Sequence, residues 1–311
     1  IKLAKTITRK WEIVSFTRGY HGVTAGSGAA TFKIGRTGMG PLPHGYYAIP
    51  APNTSKPRLG LDWRTELEDA FDYIDKICTG NLAAFIAEPI LSSGGVIDLP
   101  RGYLAALKEQ CERRGMLLIL DEAQTGLGRT GTMFAFERDG VTPDILTLSK
   151  TLGAGMALSA VLASEAVGEL AKKHEFFFYT THLNDPMPAA VGLKVLEIVI
   201  RDRLAERARI AGDRLEAGLL TIKQRYPVIS DVRGRGLLRG LEFANFGGVD
   251  ASSISNAVTS AALDHGLVAN ATPLGTAGGT MRIAPPLTAT DEEIDRGLEM
   301  LDAAVKSVLT S

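Results

Sequence analysis

The first half of this chain is punctuated by short runs that are wholly or largely apolar, at residues 82–86, 117–120, 145–148 and 158–164. A strand exposed on one face alternates apolar and polar residues. A strand that is apolar throughout is buried on both faces, as strands of a parallel sheet are. The segments between these runs carry helical spacing. Leu67, Ala70, Phe71, Ile74 and Ile77 recur at three to four residues over 66–79. A second helix is predicted over 100–114, with Gly115 as its C-terminal cap. Strands alternating with helices predict an α/β architecture, a mostly parallel central sheet with helices on both faces.

The flanking segments complete the outline. Residues 11–16 read as a strand, and 19–52, rich in Gly, Pro and small residues, as one long loop. The pattern changes near residue 190. Residues 189–226 are mostly long helix, 228–243 a hairpin or paired strands, 252–265 a helix, 281–284 a short strand and 291–309 a final helix. Thr290 and Glu293 form a capping box for that last helix. The boundary is placed within the helix around 187–203. This gives a large α/β domain over 1–195 and a smaller α+β domain over 196–311. Residue 1 is Ile, and 1–8 reads as the tail of a helix, so the large domain is expected to be N-terminally incomplete.

Composition excludes some partners. With 311 residues, 45% hydrophobic content and a net charge of −1, the chain can bury a sizeable core. That balance leaves no electrostatic footprint for nucleic acid or an anionic membrane. No apolar run is long enough to span a bilayer. The cysteines, Cys78 and Cys111, lack metal or redox spacing, which makes a reducing cytoplasm the default expectation.

Chemistry is concentrated where the buried strands end. The run Ile145-Leu146-Thr147-Leu148-Ser149 closes on Lys150, followed by the small-residue turn Thr151-Leu152-Gly153-Ala154-Gly155. The run Leu117-Leu118-Ile119-Leu120 ends in Asp121-Glu122-Ala123-Gln124. A lysine and a carboxylate at the ends of neighbouring strands can face one crevice. Pyridoxal phosphate requires such a pair, an amine for its aldehyde and a carboxylate for its pyridine nitrogen. A desolvated Lys150 would have the lowered pKa that a Schiff-base nucleophile needs. An apolar strand ending in Asp-Glu also fits a Walker B strand, but that reading needs a Gly-x-x-x-x-Gly-Lys-Ser/Thr loop. None occurs in these residues. Arg282, on an otherwise apolar segment, needs an anionic partner. A substrate carboxylate or a buried carboxylate such as Glu88 would serve.

Taken together, Tyr20-His21-Gly22, Ala87-Glu88-Pro89, Leu120-Asp121-Glu122-Ala123-Gln124-Thr125-Gly126, Ser149-Lys150 and Val232-Arg233-Gly234-x-Gly236-Leu237 resemble the class III (ω-amino acid type) aminotransferases. These are pyridoxal phosphate enzymes of fold type I. The stretches 81–95, 144–155 and 178–182 resemble the 2,2-dialkylglycine decarboxylase branch most closely. Tyr20 and Val23 depart from it, standing where that branch carries Trp and Met.

The resemblance implies roles. Lys150 holds the cofactor aldehyde and then shuttles a proton. Asp121 pairs with the pyridinium nitrogen, Gln124 bonds the phenolic oxygen beside Ala123, Tyr20 stacks on the ring and His21 supports the site. Thr181 reaches the cofactor phosphate of a neighbouring subunit, which implies a homodimer, with pairing into a homotetramer left open. Arg282 and Ser93 hold the substrate carboxylate, with Glu88 as an alternative partner for Arg282. Thr181, Leu183 and Asp185 offer oxygens to an alkali ion, K⁺ or Na⁺, although Asp185-Pro186 also fits a plain helix start. The family's Gly-rich phosphate loop and a carboxylate-orienting Gln lie upstream of where Ile1 aligns. The implied reaction is decarboxylation and transamination of 2,2-dialkylglycines with pyruvate, giving ketone, CO₂ and alanine. The alternatives are a class III aminotransferase that does not decarboxylate and a non-catalytic homologous binding subunit.

Overall fold

The computed structural model describes residues 1–32, 36, 38, 40–52, 61–271 and 279–310. These divide into two compact units. The first comprises 1–89, 99–127 and 136–198, and the second 90–98, 128–135 and 199–311.

The first unit opens with α1 (Lys2–Thr8), β1 (Glu12–Phe16), α2 (Ala25–Ala30), β2 (Tyr46–Ile49), α3 (Trp63–Ile77) and β3 (Leu82–Ala87). Next come β4 (Ile90–Leu91) and β5 (Ile97–Asp98), which belong to the second unit. The first unit resumes with α4 (Tyr103–Arg113), β6 (Leu117–Asp121), β7 (Ile145–Leu148), β8 (Ala160–Ala163) and α5 (Glu165–Lys173). Its sheet has the order β2-β1-β3-β6-β7-β8, parallel except for the antiparallel edge strand β8.

Successive strand residues point to opposite faces. Ile13, Ala84, Ile86 and Ile119 therefore pack with Ala4 and Ile7 of α1 and Val167 of α5. Phe16 and Phe85 meet at 5.1 Å between ring centroids, and Phe71 of α3 and Tyr103 of α4 close around them. Asp62 caps α3, accepting from the backbone N–H groups of Arg64 and Thr65. Gly115, at φ 59, follows the end of α4 in the left-handed conformation expected of a helix stop.

Two expectations need correction here. The segment 19–52, read as loop, contains α2 and β2. Helix α2 is Ala-Gly-Ser-Gly-Ala-Ala, whose small residues carry no apolar periodicity, and β2 is an edge strand of only Tyr46–Ile49. Helix α5, capped by the Ser164 hydroxyl at the Val167 N–H, was not among the predicted elements.

Helix α6 (Pro186–Arg201) spans the division between the units, which falls at 198/199. In the second unit α7 (Leu204–Arg225) and the hairpin β9 (Ile229–Arg235) and β10 (Leu238–Phe243) are followed by α8 (Ala251–Asp264), β11 (Asn270–Ala271), β12 (Thr280–Ile283) and α9 (Asp291–Thr310). The sheet order is β11-β12-β10-β9, antiparallel throughout. The predicted capping box is present, Thr290 Oγ1 accepting from Glu293 N at 3.1 Å and Glu293 accepting from Thr290 N at 2.8 Å. Residues 90–98 and 128–135 also belong to this unit, well before the division expected at 195/196. Arg129 explains one of these additions, its guanidinium donating to the carbonyls of Leu237 and Pro285. No helix among the described residues is long and apolar enough to cross a membrane.

Candidate active site

Strands β1, β3, β6 and β7 run parallel, so their carboxyl ends lie along one edge of the sheet. Tyr20 and His21 follow β1, Glu88 follows β3, Asp121 ends β6 and Lys150 follows β7. Asp121 is in register with Thr147, three residues before Lys150. Open α/β sheets bind ligands along this edge.

The cluster is built around Asp121. His21 Nδ1 lies 2.9 Å from Asp121 Oδ2, and its side chain is 1% exposed. The other carboxylate oxygen accepts from Ala123 N at 3.1 Å and Thr147 Oγ1 at 3.2 Å. Burial, the largest influence, pushes the Asp121 carboxyl up. The His21 hydrogen bond and charge, the Ala123 N–H and the charge of Lys150 outweigh it, so the group sits below its ordinary range. An ionised carboxylate only accepts, so the His21 Nδ1 carries the proton. His21 Nε2 is buried and makes no hydrogen bond among the described residues.

The loop after β1 is held from two directions. Glu88, buried, accepts from Tyr20 N at 2.9 Å. Thr31, also buried, accepts from His21 N at 2.8 Å, and its hydroxyl lies 3.1 Å from the Gly22 and Ser27 carbonyls. Helix α2 therefore anchors this loop. Thr31 and Thr147 were missed in the sequence, where each is an unremarkable threonine. Thr147 alone had a usable signal, being the polar residue inside an apolar strand.

Lys150 differs from its expectation. It is exposed in the single chain rather than desolvated. Its backbone is left-handed, at φ 49, as are Ala154 at φ 44 and Gly155 at φ 98. Non-glycine residues rarely adopt this region, and where they do the surrounding turn must hold them there. Gln124 lies half-buried in the turn after Asp121.

Thr181, Leu183 and Asp185 are not tied by hydrogen bonds to this cluster among the described residues. Thr181 and Leu183 are exposed in the turn before α6. The Asp185 carboxylate lies 2.8 Å from His182 Nδ1, and α6 starts at the next residue, Pro186. Asp185-Pro186 thus stands at the start of α6, with the Asp185 carboxylate on His182.

Arg282 belongs to the second unit, half-buried on β12. Its Nη1 donates to Ser92 Oγ at 3.1 Å. The hydroxyl that Arg282 meets directly is that of Ser92, the residue before the Ser93 that the resemblance assigns to the substrate carboxylate. A serine pair in a Ser-Ser-Gly-Gly turn gives no signal of which hydroxyl faces the arginine.

The donor set suits pyridoxal phosphate. A half-buried carboxylate held ionised can keep a pyridine nitrogen protonated, and an accessible lysine stands at the end of the adjacent strand.

Comparison with known proteins agrees. The model of the aminotransferase class-III family matches residues 1–305. An uncharacterised aminotransferase of Schizosaccharomyces pombe is 49% identical over 98% of this chain and 70% of its own length. The 5-aminovalerate aminotransferase of Pseudomonas putida is 33% identical over 97% of this chain and 70% of its own length. Among solved structures, a transaminase from the marine bacterium Virgibacillus superposes with a TM-score of 0.91 at 27% identity, covering 99% of this chain and 72% of that one.

Proposed function

The chain belongs to the class III aminotransferase family, whose members use pyridoxal phosphate, and from that premise we propose how its own residues serve amino transfer from an amino acid to a keto acid. Bound pyridoxal phosphate would supply an aldehyde to take the nitrogen and a ring to accept electrons. Asp121 holds the proton on the ring nitrogen, and His21, Thr147 and the Ala123 N–H hold Asp121 ionised and in place. Lys150 supplies the amine that holds the aldehyde and moves a proton at the substrate carbon. Tyr20 would face the ring, Gln124 would bond the phenolic oxygen, and Arg282 with Ser92 or Ser93 would receive a carboxylate. Thr181 reaches the phosphate of a second copy, in a homodimer. The observation that supports this reading best is the ionised, triply anchored Asp121 one strand from Lys150.

The test uses the full protein with added cofactor. An absorbance band near the visible edge is expected, with its loss in Lys150→Ala. L-alanine and 5-aminovalerate are offered as donors to pyruvate and 2-oxoglutarate, and amino products are separated by chromatography. A cofactor band with no amino product from any pair would sink the transfer reading. Decarboxylation of 2,2-dialkylglycines is a narrower reading, resting on the resemblance of 81–95 and 144–155. 2-Aminoisobutyrate and pyruvate then yield CO₂ and acetone, and their absence removes it. An alkali ion at Thr181, Leu183 and Asp185 rests on the same resemblance. A rate indifferent to replacing K⁺ or Na⁺ by a tetraalkylammonium ion removes that as well.

A further inference from the structure

The second unit contains a strained turn. Val96 sits at φ 52, a left-handed conformation that a β-branched side chain resists. It ends the turn that begins at Ser92, with Val96 N donating to the Ser92 carbonyl at 3.1 Å. Ser92 is the residue whose hydroxyl accepts from Arg282. The conformation of this turn therefore determines where the Ser92 hydroxyl stands.

Arg233 holds the far end of the turn. Its Nε and Nη2 donate to the Gly95 carbonyl at 3.0 and 2.6 Å, and Nε also reaches the Val96 carbonyl at 3.2 Å. On its other side Nη1 donates to Asp231, at 2.9 Å, and to Glu242. The Arg233 side chain is 12% exposed. A guanidinium can do this because its donors form a rigid planar fork, whereas a lysine ammonium is a single point of charge.

Register links the clamp to Arg282. Gly240 on β10 pairs with Arg233 on β9 and with Arg282 on β12. A Cβ at Gly240 would stand 2.9 Å from Val96 Cβ, so the absence of a side chain lets Val96 press onto the sheet. Arg233 and Arg282 thus occupy one row of the sheet, flanking the glycine on which the turn rests.

We infer that Arg233 is a positioning residue for the carboxylate subsite: it fixes the strained Ser92–Val96 turn and so aligns Ser92 with Arg282. The inference rests on the reading of Arg282 as the carboxylate receptor. It predicts that losing the clamp weakens recognition of carboxylate donors while leaving the chemical step intact.

The experiment uses the full-length holoenzyme with L-alanine and, in parallel, 5-aminovalerate as donors. Arg233→Lys keeps the charge beside Asp231 and Glu242 but loses the fork. Its KM is expected to rise on the order of tenfold, with kcat within about twofold. Adding Val96→Gly, which removes the cost of the left-handed backbone, is expected to restore most of that KM. Gly240→Ala, which displaces Val96 with Arg233 intact, is expected to raise KM in the same way. It also tests the idea if Arg233→Lys does not fold. Arg282→Gln separates the two levels of the argument. An unchanged KM there overturns the carboxylate reading itself. A raised KM there, with Arg233→Lys and Gly240→Ala unchanged, overturns the positioning role alone. A raised KM in Arg233→Lys that Val96→Gly does not rescue overturns it too, because the turn would not be what the arginine controls.

Discussion

Asp121 shows how one carboxylate is tuned by its neighbours. Burial disfavours its charge, and His21, the Ala123 N–H and Lys150 together more than offset burial. A carboxylate whose folded pKa is depressed contributes stability above its unfolded pKa, and loses it as pH falls through the folded value. His21→Leu removes the largest lowering influence and leaves burial dominant, so the Asp121 carboxyl should rise towards or beyond the ordinary range. The expected outcome is that cofactor binding, followed by its absorbance against pH, fails at higher pH in His21→Leu than in the parent. A coincident acid limb would show that His21 does not hold the charge. Asp121→Asn keeps the shape but not the charge. It should cost amino transfer on the order of a hundredfold or more. Pairing Asp121 with Lys150 was legible from two apolar runs ending in polar residues. The roles of Thr31 and Thr147 were not, because a hydroxyl that anchors a loop or a carboxylate has no periodic signature.

Elements were legible where a period or a cap marked them. Helix α9 carried both, and its Thr290–Glu293 box formed as read. Helix α2 carried neither. The direction of β8 was not read either, although the segment from Leu148 to Ala160 contains no α-helix, which a parallel crossover usually needs. The long helix α7 holds a feature that sequence alone presents as a flaw. Gly212 lies in its interior, where glycine costs about 1 kcal/mol against alanine. The structure accounts for it. A Cβ there would meet the Gly236 carbonyl carbon and oxygen at 2.4 Å, and backbone cannot give way as a side-chain tip can. Buried Arg239 staples the contact, donating to Gly212 O at 3.1 Å and Gly236 O at 3.0 Å. Gly212→Ala should therefore destabilise by about 3 kcal/mol, despite its better helix propensity. Urea unfolding measures this, and a variant as stable as the parent would mean that α7 and the β9–β10 turn can separate at no cost.

On the scale of the whole molecule, the chain spans about 70% of the length of the relatives it matches. Its class and sheet were legible because buried strands and their polar ends recur along the sequence. The membership of 90–98 in the second unit was not, since it depends on Val96 meeting Gly240 and on Arg233 reaching Gly95, contacts between distant residues without a shared pattern. Phe177 is 79% exposed, Tyr179 71%, Met187 67% and Leu193 60%, within one stretch of chain that also carries Thr181. Several large exposed apolar side chains in one short stretch suit an interaction site, and the proposed homodimer assigns this stretch a second copy of the chain. Met187→Glu with Leu193→Glu places charges there without touching the Asp121 cluster. Light scattering on the full protein should then read a dimer for the parent and a monomer for the variant, with cofactor affinity falling alongside because Thr181 can no longer reach a neighbour's phosphate. A dimeric variant with unchanged affinity would move the interface elsewhere. A monomeric variant that binds cofactor as tightly as the parent would take Thr181 out of the phosphate site while leaving the interface assignment in place.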